Sequence, residues 1–197
     1  MLDDTGLRIA KVLYNGEWEG RYYLIVTGMP GQTLNRVWPQ IDEMKKTWCI
    51  SQISLFCSTL SARKFTYIGG VDGGYLPEHF LADRGDASDD GFSPDKLLQN
   101  CKNLGMDCSS SVLYHTDLGP GNILVDLPNA SISVIDFECV GFVPRKWVRT
   151  KFRISSGLNL KLDDSRDDPR HEWRSRMRRQ LGAEGFPDVS TRYMSWR

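Results

Sequence analysis

The stretch "YHTDLGPGNILVD", Tyr114 to Asp126, places His115, Asp117 and Asn122 ahead of an apolar run, with Gly119, Pro120 and Gly121 between the last two. A plain turn needs neither the histidine nor the asparagine. A second acidic pair, Asp136 and Glu138, follows in "VIDFE". These residue types suit phosphoryl transfer. That reaction needs a carboxylate near the acceptor hydroxyl, to orient it and take its proton. It also needs hard oxygen ligands for Mg²⁺, which bridges phosphates and offsets developing negative charge. Asp117 suits the first task. Asn122 and Asp136 suit the second, as one neutral and one anionic oxygen donor. Glu138 fits either of two roles, a further donor at the metal site or an anchor for a basic residue.

Such side chains work only if the chain folds back on itself. Asp136 lies 14 residues after Asn122, room for one hairpin with a short turn at "LPNAS". Strands expected at 122–126 and 132–137 would bring Asn122 and Asp136 to the same mouth. The two glycines and the proline are expected to bend the backbone between Asp117 and Asn122. Taken singly, an H-x-D is more often a capped turn, and "IDF" is common in buried strands. Taken in order and at this spacing, they read as one site.

The sequence resembles the aminoglycoside phosphotransferase and choline kinase family, part of the protein-kinase-like superfamily. "HTDLGPGNILVD" is similar to the family's loop H-x-D-x-x-x-x-N, and "VIDFECVGFVPRKW" to its I-D-[FW]-E or I-D-[FW]-G strand end. "YYLIVTGMPGQTLNRVW" looks like its last N-lobe strand, its hinge and the start of its C-lobe. "GPGNILVD" with "FVPRKWVRTKF" is most like a fungal branch. The likeness covers roughly residues 7–155. It implies an α+β, protein-kinase-like fold: strands and hinge of an N-lobe over 1–31, then a mostly helical C-lobe over 32–197 with a β-hairpin at its site. It also implies an ATP- and Mg²⁺-dependent kinase acting on a small-molecule hydroxyl. Asp117 would be the base, His115 a support of the loop, and Asn122 and Asp136 the metal ligands. The backbone of Thr27, Gly28 and Met29 would meet the adenine. Glu138, where protein kinases carry glycine, favours a metabolite-like acceptor over a protein.

The family also uses a phosphate-covering loop and a strand lysine paired with a helix glutamate. "RIAKVL" offers Lys11, but only ten residues precede it and no helix with a pairing glutamate follows before the hinge. The segment aligns better with the stretch just before the strand pair leading to the hinge. The chain is therefore expected to begin partway through the N-lobe. Three readings stay open: a competent kinase homologue, a non-catalytic pseudokinase or interaction module, and a truncated gene product.

Elsewhere, periodicity predicts an antiparallel pair over 7–31 turning at "NGEWEG", its second strand covered on both faces. It predicts a helix from Pro39 to Ala62 facing the core with Ile41, Met44, Trp48, Phe56 and Leu60. A further helix is expected from Pro94 to about Gly105, behind Ser93. Another should run from an Asp168 cap to a Gly182 stop, with Trp173, Met177 and Leu181 facing inward and its arginines in water. In "PRKWVRTKFR", Trp147 and Phe152 should pack inward with the cations solvated. Residues 64–94 read as a long loop whose acidic part, "LADRGDASDDG", suits a surface segment.

Twenty-five basic and 25 acidic residues give zero formal net charge. That removes any global argument for nucleic-acid or anionic-membrane binding. The five cysteines show no C-x-x-C pair and read as free buried thiols. No signal-peptide core or spanning run is seen, so the chain is expected to be soluble and cytoplasmic.

Overall fold

The computed structural model describes residues 7–82, 89–161 and 167–196. Its first strand, β1 (Leu7–Ile9), is followed by the hairpin strands β2 (Val12–Trp18) and β3 (Arg21–Val26). The hairpin turns at Glu19 and Gly20, whose φ values of 49° and 70° give the doubly left-handed turn that matches strand twist. Asn15 and Gly16 instead run through β2, opposite Leu24 and Tyr23. The turn thus lies at the far end of "NGEWEG", which lets β2 pair with β3 from Tyr14 to Trp18 and, past an irregularity at Leu13, at Val12. Residues 7–9 do not join this pair as expected; β1 leaves it for another sheet. Nor is β3 covered on both faces, since every residue from Arg21 to Val26 is exposed. A continuous apolar run reports what a strand can be buried against, not what stands beside it.

β4 (Gln32–Thr33) leads into one helical turn, α1 (Leu34–Val37), which buries Leu34 and Val37. Pro39 sits in a separate 3-10 turn, Trp38–Gln40. The long helix α2 therefore spans Glu43–Leu60, where the Asp42 carboxylate accepts from the Lys45 N–H at 2.8 Å. It buries Cys49, Ile50, Ile53, Phe56 and Cys57. Ile41, Trp48 and Leu60 pack at the core margin, whereas Met44, expected inside, is 80% exposed on the first turn.

β5 (Lys64–Phe65) and β6 (Gly69–Gly70) interrupt the long loop, and α3 (Pro94–Asn103) follows with Pro94 at its start. The helix ends at Leu104, and Gly105 takes φ +70°, as its position in the sequence suggested. Much of the acidic loop lies outside the described residues. Next come β7 (Ser111–His115), β8 (Ile123–Asp126), β9 (Ser131–Val134) and β10 (Val140–Val143). One sheet has the order β1-β9-β8-β4, the other β5-β7-β10-β6. β1 runs parallel to β9, with Leu7 opposite Ile132 and Ile9 opposite Val134. Gly31 is needed beside β8: its φ is +107°, and a Cβ there would sit 2.6 Å from the Val125 carbonyl oxygen.

Helix α4 (Arg145–Ile154) buries Trp147, Val148 and Phe152. Its cations are not all in water, because Lys151 is buried and ion-paired at 2.5 Å to Glu78, itself fully buried. α5 (Asp167–Ala183) packs Trp173, Met177 and Leu181 into the core against α2 and α4. Gly182 lies inside this helix and does not stop it. A Cβ there would meet the Arg149 guanidinium at 2.8 Å, and the chain turns at Gly185, φ +78°. The Asp168 cap concerns a side chain outside the description. The arginines of α5 are partly engaged: Arg176 bridges Glu172 and Glu43, and Arg174 caps the carbonyls of Arg153 and Ser155. The last helix, α6 (Ser190–Trp196), lays Tyr193 against Trp147. All five cysteines are free; Cys49, Cys57 and Cys101 are buried and Cys108 and Cys139 half-buried. Among the described residues, no helix is long and apolar enough to cross a membrane.

Candidate active site

The β8–β9 register carries the site. Ile123 faces Val134, and one step beyond, the Ile135 N–H donates to the Asn122 carbonyl at 3.0 Å. Antiparallel pairing therefore holds Asn122 and Asp136 at one end of the hairpin, since each follows or precedes its strand by a residue or two. Asp117 comes to the same end through the intervening loop. The Asn122 Nδ2 donates to the Asp117 carboxylate at 3.0 Å and to the Asp117 carbonyl at 2.9 Å. With Nδ2 committed to Asp117, the amide presents Oδ1 as a further acceptor. Neither Gly119 nor Gly121 takes a positive φ, so the bend expected to require them does not. A Cβ at Gly121 would meet nothing within 4 Å, and this glycine leaves open space beside the loop.

His115 ends β7 with no exposed surface and faces Val140 of β10. Its Nε2–H donates to the Ile135 carbonyl at 3.0 Å, and its ring lies 5.2 Å from that of Phe137. Thr116 adds two bonds from its N–H and hydroxyl to the Cys139 carbonyl, at 2.9 and 2.8 Å. These contacts tie the 115–117 segment to the 135–139 segment, which links β9 of one sheet to β10 of the other. Burial pushes the His115 imidazole below its ordinary value, opposed by the Ile135 bond and by the charges of Asp117 and Asp136. The ring is thus neutral, with the proton on Nε2 and a buried Nδ1 that has no hydrogen-bond partner among the described residues.

Asp136 has φ 64° and ψ 63°, a left-handed conformation uncommon outside glycine. Strain of this kind persists only where surroundings hold it, and such positions cluster at functional sites. Asp136 and Glu138 are exposed; Asp136 precedes the 3-10 turn Phe137–Cys139 and Glu138 lies within it.

Two cavities are lined by residues of this end. The larger, about 740 Å³, is lined by Thr27, Gly28 and Met29 on one side and by Ile135, Asp136 and Glu138 on the other. Val12, Leu24 and Val26 of the exposed hairpin roof it, so one hairpin face overhangs this space. Thr27 is fixed by reciprocal bonds with Lys11, N–H to carbonyl and N–H to Oγ1, each 2.9 Å. Lys11 itself does not line the cavity. The smaller cavity, about 170 Å³, is lined by Asp117, Asn122, Asn35, Asn159 and Lys161 among others. The sequence-derived residues therefore divide: hinge, Asp136 and Glu138 at the larger space, Asp117 and Asn122 at the smaller.

Oxygen donors of the kind Mg²⁺ takes are present in Asp136 and the Asn122 amide. Such an ion commonly uses one or two protein carboxylates together with substrate phosphates and water. The donor chemistry fits the metal that the resemblance implies, without any cluster of three or more His, Cys, Asp or Glu side chains among the described residues.

Three residues of the smaller cavity carried no sequence signal. The Asn35 backbone N–H donates to the Pro120 carbonyl at 3.0 Å. Its side chain accepts from the Lys161 N–H at 2.5 Å and donates to the Lys161 carbonyl at 3.2 Å. Asn159 keeps a buried Oδ1 without a hydrogen-bond partner among the described residues. Asn35 is an unremarked residue of α1, and Lys161 lies 44 positions beyond Asp117, outside any motif. Only the tertiary fold brings them to the loop.

No curated protein matches the chain. The model of the phosphotransferase enzyme family, the aminoglycoside phosphotransferase type, matches residues 1–145, from the N-terminal strands through the 115–122 loop and the "VIDFE" segment, and the chain belongs to that family.

Proposed function

We propose that this chain is an ATP- and Mg²⁺-dependent phosphotransferase of kinase-like fold that acts on the hydroxyl of a small molecule. The observation that carries the reading is the hydrogen-bonded Asp117–Asn122 pair at the same end of the β8–β9 hairpin as Asp136, with one cavity lined by Asp117 and Asn122 and another by Asp136 and the 27–29 segment. The apolar larger cavity suits an adenine, with the backbone of Thr27, Gly28 and Met29 along its edge. Asp136 and the Asn122 Oδ1 would hold Mg²⁺, with Glu138 near enough to the same cavity to assist or to remain structural. When bound with the nucleotide, the metal offsets phosphate charge.

Asp117 has the catalytic task. Its carboxylate, oriented by the Asn122 amide, would accept the hydrogen bond of the acceptor hydroxyl and take its proton. The acceptor oxygen then bonds to the γ-phosphorus as the bond from that phosphorus to the β–γ bridging oxygen breaks, releasing ADP. His115 stays neutral and holds the loop to Ile135; it transfers no proton. A glutamate after Asp136–Phe137 and a small acceptor-side cavity of about 170 Å³ favour a metabolite-sized substrate over a protein.

A non-catalytic nucleotide binder is the second reading. It is favoured by one observation: no lysine or arginine lines the larger cavity among the described residues. An assay of ADP release over a panel of hydroxyl compounds separates the two. Release that depends on an acceptor and is lost in Asp117→Asn supports the phosphotransferase. Nucleotide binding with no acceptor-dependent release supports the binder.

A further inference from the structure

We infer that Lys161 is the cation that meets the terminal phosphate in this chain, a contact that rests on the phosphotransferase reading above. Transfer of a phosphoryl group needs positive charge at the transferred group, where negative charge is greatest. The hinge-side cavity offers none, and Lys11 stands outside it. Among the described residues, Lys161 is the one basic residue lining the smaller cavity, together with Asp117 and Asn122. That is the place where a terminal phosphate would reach the base.

The position of Lys161 is built rather than incidental. Its backbone is gripped on both polar atoms by the Asn35 side chain, at 2.5 and 3.2 Å. The Asn35 N–H is bonded in turn to Pro120, in the middle of the 117–122 loop. One asparagine therefore ties the loop with the base to the strand of chain with the lysine. The 157–161 segment also packs directly on that loop: a Cβ at Gly119 would touch the Gly157 carbonyl at 3.4 Å and Leu158 at 3.5 Å. Lys161 is exposed, and among the described residues no carboxylate pairs with it. A flexible, hydrated ammonium on an anchored backbone suits a phosphate held as a point charge. Asn35 acts through Lys161 and is a positioning residue.

The inference is tested by calorimetric binding of two probes, Mg·ADP and Mg·AMP-PNP, which differ by the terminal phosphate. Lys161→Met should weaken AMP-PNP by roughly tenfold or more, the scale of one charge-assisted contact, and leave ADP unchanged. Lys161→Arg should recover most of the loss. Asn35→Ala should weaken AMP-PNP less than Lys161→Met does, again sparing ADP. Equal affinity of parent and Lys161→Met for AMP-PNP, with both binding ADP, overturns the inference alone. A Lys161→Met chain weakened equally toward both probes also overturns it, because the terminal phosphate is then not what the lysine reads. If the parent binds neither probe, the phosphotransferase reading and this inference fall together.

Discussion

Single side chains at the site differ in what they risk. Asp117 is exposed and its removal should cost little stability, while turnover with any accepted hydroxyl should fall by roughly 10²–10⁴-fold in Asp117→Asn. Steady-state ADP release checks this. His115 shows the opposite balance. Burial lowers its proton affinity below that of the unfolded chain, whose ordinary value is 6.5. The unfolded state therefore binds more protons once pH drops below that value. This part of the stability is whole above about pH 6.5 and is lost as pH falls toward the lowered folded value. Urea unfolding at pH 7.5 and 5.5 should show the parent losing stability on acidification. His115→Gln, which can still donate to Ile135, should lose less. Asp136 was legible as a motif, but its left-handed backbone was not, because φ depends on the 3-10 turn and the sheet that follow it.

Among the elements, the β8–β9 hairpin was the most legible. The "LPNAS" turn and the 14-residue offset both point to the register observed. The β2–β3 turn was legible in kind and not in place: Asn-Gly and Glu-Gly both offer positive φ, and the pairing of the whole strand decides between them. Helix starts slipped where proline opened a separate turn, at Pro39, and the α5 end slipped because Gly182 serves the approach of Arg149 instead of a stop. The Glu78–Lys151 pair was invisible in sequence, since its partners are 73 residues apart. It holds the irregular 66–82 segment to α4 and is almost wholly buried. Lys151→Met strands the Glu78 charge and should destabilise the fold by about 3–5 kcal/mol, whereas Glu78→Gln with Lys151→Met should recover much of that loss. Chemical denaturation of the three chains reads the difference.

At the scale of the molecule, order is uneven. Helices α2, α4 and α5 share one core of buried Trp, Phe and Leu side chains, and the sheet with β8 and β9 rests on it. The β2–β3 hairpin, by contrast, exposes Leu13 and Trp18 at 65% and Tyr22 at 69%, and among the described residues it pairs with no third strand. Two strands alone are marginally stable in water. Amide exchange should therefore be fast in β2 and β3 and slow in β8 and β9, and Mg·AMP-PNP should slow β3, which roofs the larger cavity. Equal protection of both hairpins without nucleotide would contradict this picture. Sequence could supply the motif pair and the family, because those are local; the shared wall of Asn35, Asn159 and Lys161 arises only when distant segments pack.

The central claim is that Asp136 and its neighbours form a Mg²⁺-nucleotide site. It is tested most directly by thermal shift with Mg·ATP, parent against Asp136→Asn. Asparagine tolerates the left-handed backbone and keeps the size of the side chain while removing its charge. The parent should rise by a few degrees with nucleotide at about ten times its Kd, since roughly 1.4 kcal/mol of linkage moves a chain of this size by about 3–6 °C. That rise should vanish in Asp136→Asn and should need Mg²⁺ in the parent. A parent that does not shift at millimolar Mg·ATP, or a variant that shifts as the parent does, would contradict it.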